Sequence, residues 1–219
     1  MDTEQNTCKR CGTCCSKGGP ALHTADLRLV REGLLPLSRL ITIRKGELVF
    51  KPHEDAPQLA LCELVKISGT GKEWQCFYFD DETKGCMMYQ DRPLSCRELQ
   101  CWDTGAVEDL VEKDTLDRFD IVSENEPIYS LIREHESRCP CPDMEALLKA
   151  LLEKNLPPLE PLEELTNEDI RLRRKAVQEI DITLAEELFY FGRPIFQLLQ
   201  QLGVKVREEN GMLKLRWPA

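Results

Sequence analysis

Cys8-Lys9-Arg10-Cys11-Gly12-Thr13-Cys14-Cys15 sets four thiols within eight residues. Unpaired thiols at this density oxidise readily, and a short flexible segment gains little packing from cysteine. Thiolates become stable ligands once a soft or borderline metal neutralises them. The run therefore points to metal chemistry. A C-x2-C spacing lets two side chains of one tight turn reach the same ion, and C-x2-C-x2-C extends this to three. Gly12 supplies the backbone freedom such a turn needs. Adjacent side chains usually diverge, so Cys14 and Cys15 are expected to serve two metals, or to leave one thiol spare for redox or substrate chemistry.

The fourth ligand must come from elsewhere. A bacterial ferredoxin run would place another cysteine three residues on, followed by proline, whereas here Cys15 follows at once. Seven further cysteines are available: Cys76, Cys86, Cys96 and Cys101 as one group, the pair Cys139-Pro140-Cys141, and Cys62 alone. Eight thiolates in the first two groups suffice for two four-thiolate sites, or for one cluster with additional reactive thiols. The candidate metal ligands are thus Cys8, Cys11, Cys14, Cys15, Cys76, Cys86, Cys96 and Cys101. Sulfur-only sites suit zinc or an iron–sulfur cluster. All-cysteine zinc sites usually use two C-x2-C hooks, and only the first group contains such hooks, which favours the iron–sulfur cluster over zinc.

The remaining candidates read more plainly. His135 stands four residues before Cys139 and shares a helix face with it; it could complete a metal site, but the ordinary reading is a surface histidine. Cys62 reads as a small buried hydrophobe on a strand. His23 and His53 lack partners at a suggestive spacing, and no Ser-His-Asp set, phosphate loop or HExxH motif occurs.

The chain has 219 residues, 42% hydrophobic and 31% charged, the composition of a soluble globular protein with a proper core. No stretch approaches eighteen apolar residues, so no membrane span is expected. The polar start, Met1 to Asn6, carries no secretory signal, which makes the cytoplasm the expected compartment. In that reducing setting clustered cysteines read as ligands or redox groups rather than disulfides, and eleven cannot pair completely. The net charge of −10 argues against nucleic acid as a partner. A protein partner or substrate stays open, with an acidic middle: residues 108–169 hold 6 Lys and Arg against 18 Asp and Glu.

The expected class is α+β, a small irregular sheet and a loop-rich cysteine region packed with C-terminal helices. Residues 1–142 form the expected cysteine-cluster metal-binding domain, and 143–219 a helical extension ending in a small hairpin. Thr24 offers an N-cap for a short helix stopped by Gly33. Residues 39–50 look like a hairpin around Lys45-Gly46, and 61–68 like a further extended segment. Pro127 suits the first turn of a helix, and Asp143 can cap the next one. Leu156 to Pro161 reads as a stiff linker, with a helix starting at Thr166 and another over 193–202. Asn210-Gly211 signals the closing hairpin.

Cys86-Met87-Met88-Tyr89-Gln90-Asp91-Arg92-Pro93-Leu94-Ser95-Cys96-Arg97 makes a resemblance explicit. Together with CxxCxxCC it resembles the YkgJ family of cysteine-cluster proteins, a zinc- or iron-chelating domain. The family pattern falls on Cys8, Cys11, Cys14, Cys15, Cys76, Cys86, Tyr89, Arg92, Pro93, Cys96 and Arg97, with Cys101 just beyond. The motif is shared with flagellin lysine methylase, where an iron–sulfur cluster is implied. A metal-dependent protein-modifying enzyme and a structural zinc module are therefore the alternatives to a metal-binding protein without a defined reaction. Beside the resemblance, Arg92 and Arg97 could offset the charge of a thiolate site, or simply shape a turn and a helix surface. Tyr89 reads as packed core.

Overall fold

A computed structural model describes residues 7–51 and 56–218. It shows an α+β chain whose strands come in short antiparallel pairs, while the longer helices gather in the C-terminal half. After a 3-10 turn at Cys15–Lys17 and another at Thr24–Asp26, helix α1 spans Leu27–Arg31. Here the N-cap position is His23, not Thr24: its N–H donates to the Asp26 carboxylate at 3.0 Å.

Strands β1 (Leu40–Ile43) and β2 (Leu48–Val49) do not pair with each other. The chain does turn at Gly46, yet β2 pairs with β3 (Gln58–Leu59), and β1 with β4 (Leu64–Ile67). The expected hairpin over 39–50 is thereby replaced by two ladders of longer reach. Apolar alternation explains it: Leu40 and Thr42 face one side with Val65 and Ile67, all buried, a core face that β2 is too short to supply. Two tight hairpins follow, β5 (Gly69–Thr70) with β6 (Gln75–Cys76), and β7 (Phe79–Asp80) with β8 (Gly85–Cys86). The expected small sheet is thus a set of separate two-stranded ladders among the described residues.

Short helices α2 (Leu94–Glu98), α3 (Gly105–Glu108) and α4 (Arg118–Ile121) lead to α5 (Pro127–Arg138) and α6 (Met144–Leu152). Asp143 caps α6 by accepting from the Ala146 N–H at 2.9 Å. Helix α7 spans Glu160–Glu179, so Thr166 is buried in mid-helix rather than at a start. Of the prolines that suggested a linker, Pro157 and Pro158 precede the helix, while Pro161 lies in its first turn, where it is tolerated because that turn's N–H groups have no helical partner. Helix α8 (Glu187–Phe191) has no counterpart in the sequence reading; its aromatic residues pass for a strand as easily as for a helix turn. Helix α9 (Ile195–Gln201) leads into β9 (Lys205–Glu209), paired with β10 (Met212–Arg216) across Asn210-Gly211, both at positive φ.

One apolar cluster joins the two halves of the chain. It includes Leu22, Leu40, Val65 and Ile67 from the front and Ile132, Leu172, Phe189, Phe191 and Leu198 from the rear helices. Buried ion pairs tie the helices together. Asp169 accepts from His135 Nε2 (2.7 Å), Arg173 Nε (2.7 Å) and the Ile195 N–H (2.9 Å) that opens α9. Arg118, fully buried, donates to Glu63 at 2.6 and 2.8 Å, to the Tyr190 carbonyl at 2.7 Å and to Glu136. No helix among the described residues is long and apolar enough to cross a membrane.

Candidate metal centre

The cysteine run is set down on the fold by two glycines. At Gly12, with φ of +76°, a Cβ would lie 2.0 Å from the Phe79 ring. Only glycine lets the run lie against β7, whose Phe79 is the ladder partner of Cys86. At Gly19 a Cβ would lie 2.3 Å from the Ile67 carbonyl oxygen, so the chain leaving the run passes flush over β4. Beyond it, the Ile67 N–H donates to the Pro20 carbonyl (3.0 Å) and the Leu22 N–H to that of Val65 (2.8 Å). Within the run, the Ser16 N–H and hydroxyl fold it back onto the Gly12 and Thr13 carbonyls, each at 2.9 Å.

The second wall is α2 with the turn before it. The Leu94 N–H donates to Asp26 Oδ1 at 2.8 Å, and His23 Nε2 hydrogen-bonds Ser95 Oγ at 2.8 Å. Residues just after the run thereby position the helix that carries Cys96. His23, for which spacing offered no partner, is 2% exposed and belongs to this frame. His53 lies outside the described residues.

Between run, hairpin and helix lies a cleft of about 60 Å³ lined by Cys8, Cys11, Cys14, Cys15, Cys86, Cys96 and Cys101, with Arg92 and Tyr89. Seven of the eight candidate ligands thus face one space. Cys76 is buried beside it rather than lining it, near enough that the charge of Cys86 and Cys14 bears on it. Among the described residues no three His, Cys, Asp or Glu side chains stand close enough to enclose an ion; the thiols surround the cleft without closing on its centre. Cys8, Cys11, Cys14 and Cys101 are exposed, so their adjustment meets little packing resistance.

Cys14 and Cys15 converge instead of diverging, with Sγ atoms 3.9 Å apart. The 3-10 turn that begins at Cys15 brings both thiols to the same side. Cys86 lines the same cleft, close enough for the Cys15 thiol to bear on its titration. The neighbouring Cys15 thiol holds Cys14 and Cys86 down to about 6, against burial, with the Arg92 guanidinium adding to the effect. Cys15, between those two thiols, is pushed up in turn. A hydrogen bond from Thr13 lowers Cys11, while burial raises Cys76 and lifts Cys96 to about 12. Thiolate character is thereby concentrated at Cys14 and Cys86, where the run meets the hairpin.

Tyr89 is not core. The Arg10 guanidinium lies 3.9 Å and that of Arg92 3.7 Å from its ring centroid, distances that place the two cations on opposite faces. Arg92 Nε also donates to the Tyr89 carbonyl at 2.8 Å. The sandwich pins a charge from the run to a charge from the turn before α2, at the cleft rim. Arg97, by contrast, is exposed on α2 and does not line the cleft. The sequence separates neither Arg10 from other basic residues nor Arg92 from Arg97; only the stacking does.

The other thiols stand apart. Cys139 is fully buried and its carbonyl accepts from Arg44 at 2.8 Å; burial lifts its thiol to about 12 and that of Cys141 to about 11. Cys62 is only half-buried in a bend before β4, 3.8 Å from Thr115 Oγ1, and not a strand hydrophobe. His135 is not on the surface: it is fully buried, and burial lowers it to about 4 despite the Asp169 carboxylate. Its Nε2–H meets Asp169, leaving Nδ1 without a partner.

An all-thiol donor set, partly thiolate and flanked by a guanidinium, fits zinc or iron better than any hard cation. A family model described as "CxxCxxCC: Putative zinc- or iron-chelating domain" matches residues 7–118. No curated protein and no solved structure matches the chain.

Proposed function

The chain belongs to the CxxCxxCC family of zinc- or iron-chelating domains, and within that metal-binding role we propose that it carries an iron–sulfur cluster. The observation that carries this reading is the gathering of seven thiols from three separate elements around one cleft. Cys8, Cys11, Cys14 and Cys15 would contribute from the run, Cys86 from the hairpin, and Cys96 and Cys101 from α2 and the turn after it, with Cys76 in reserve behind them. The three-cysteine run resembles a cluster ligand run, and the second wall offers no C-x2-C hook of the kind zinc sites use. Bound there, a cluster would supply one-electron chemistry. The chain's own part is to hold Arg92 beside the thiolates and to bring Cys14 and Cys86 to one cleft.

A zinc ion is the second reading, and the Cys14–Cys15 separation favours it. Two thiolates about 2.3 Å from one tetrahedral ion stand about 3.8 Å apart, close to the 3.9 Å here. Protein isolated without oxygen, analysed for iron, zinc and acid-labile sulfide, separates the two. The cluster reading expects iron and sulfide with visible charge-transfer absorption. Colourless protein with stoichiometric zinc rejects it and leaves the zinc site standing.

A further inference from the structure

The β1–β4 ladder has a second face. Register pairs Ile41 with Lys66 and Ile43 with Leu64, so these four side chains point away from the Leu40–Val65 side. They floor a cleft of about 770 Å³, roofed in part by Val107 and Leu110. That volume lies within the range of small-molecule sites, about 300–1,000 Å³. Lys17 and Ser95 also line it, so the elements that present Cys15 and Cys96 to the thiol cleft form part of its wall.

The charges in this cleft do not balance. Among the described residues, Lys17, Lys51, Lys66 and Arg193 line it against one carboxylate, Glu112. Lys51 is answered by Glu112 at 2.7 Å, and Arg193 by Glu47 at 2.6 Å. Among the described residues no carboxylate stands within ion-pairing distance of Lys66 or Lys17. Lys66 sits mid-strand on the apolar floor, where an uncompensated ammonium is costly and a straight-chain apolar residue would pack as well. Burial, with the nearby Arg193 charge, lowers its pKa from the ordinary lysine value.

We infer that this cleft binds a small anionic amphiphile, a carboxylate on a hydrocarbon chain, with the head on Lys66 and the chain between Leu64 and the roof of Val107 and Leu110. The aliphatic lining selects a flexible chain over a polar or multiply charged body. A single unanswered ammonium at the floor, with Lys17 at the edge, selects one negative head. The inference does not depend on which metal the thiol cleft takes.

Calorimetric titration of the full chain, as purified and with its metal content recorded, tests it with decanoate and decanol as probes. Decanoate should bind about tenfold or more tighter than decanol, the effect of one charge-assisted contact. Lys66→Gln should abolish that preference while decanol still binds, and Val107→Trp, which fills the roof, should remove both. Equal binding of the two probes, no binding of either up to their solubility, or a preference that survives Lys66→Gln overturns the proposal. So does a concentration-dependent dimer whose formation shuts out decanoate, because the cleft would then be a contact between copies of the chain.

Discussion

Residues 69–104 and the rear helices α5, α7 and α9 are held together by different physics. Between 69 and 104 only Cys76 and Pro93 are buried, and the ladders there are two residues long. Hairpins of that size have no independent stability in water. In the rear, Leu131, Ile132, Leu172, Ala176, Leu198 and Leu199 are all under 4% exposed, and Asp169 satisfies three buried donors at once. The rear can therefore fold on apolar burial and a closed polar network. The front has polar turns and little buried surface, and Gly12 of the run packs on its Phe79; filling the thiol cleft would add to its stability, since the free energy of filling such a site is folding free energy. The contrast teaches that a metal at the thiol cleft would matter to the folding of one part of the chain and little to the other.

The largest effect should come from removing the metal. Hydrogen exchange after treatment with a strong chelator is expected to lose protection across 69–104 and keep it in α5, α7 and α9. Uniform loss would show that the halves are not separable. Next, Asp169→Ala should cost about 3 kcal/mol in urea unfolding, because it leaves a buried histidine N–H and the first N–H of α9 without acceptors and takes from Arg173 one of its two carboxylates, Glu187 remaining at 2.9 Å. Metal content per folded molecule should not change.

Acid should act on the rear in two stages. His135 is held at about 4 by burial, below the ordinary histidine value of 6.5, so the unfolded chain takes up a proton before the folded one does. Stability from this group is lost as pH falls from 6.5 to 4, by about 3 kcal/mol, and then levels off. Burial would raise Asp169, but Arg173 and His135 hold it at about 2, below 3.8. Its contribution, present above 3.8, is lost as pH falls through 2, by about 2 kcal/mol. Urea midpoints against pH should trace the first limb, and His135→Gln should flatten it. A smaller change belongs to the front: Gly12→Ala forces a strained φ and a clash with Phe79, and is expected to cost about 1 kcal/mol. Its signature is lowered metal content with rear stability intact.

This division was only partly visible in the sequence. Thiol spacing, the Gly12 turn, the Pro127 and Asp143 helix starts and the Asn210-Gly211 hairpin are local signals, and the structure follows them. The pairing of β1 with β4 was hidden because Lys45-Gly46 gives a genuine turn signal, while the partner lies twenty residues further on. His135 was misread because Asp169, which makes its burial tolerable, is thirty-four residues away and nothing local marks it. At the site, Arg10 and Tyr89 carry no motif of their own, and their stacking emerges only when the run folds over the turn before α2. Cys14 and Cys15 converge because a 3-10 turn begins between them, a geometry that adjacency alone argues against.

The central claim is that thiols from the run and from the Cys86–Cys101 stretch share one metal site. X-ray absorption at the metal edge of anaerobic protein tests it directly, when the native chain is compared with a Cys86→Ala variant. The account predicts a first shell of sulfur alone at about 2.3 Å, with an added iron–iron shell for the cluster reading, and a changed shell or lost metal in the variant. A shell containing nitrogen or oxygen ligands in the native protein, or one unaltered by Cys86→Ala, would contradict it.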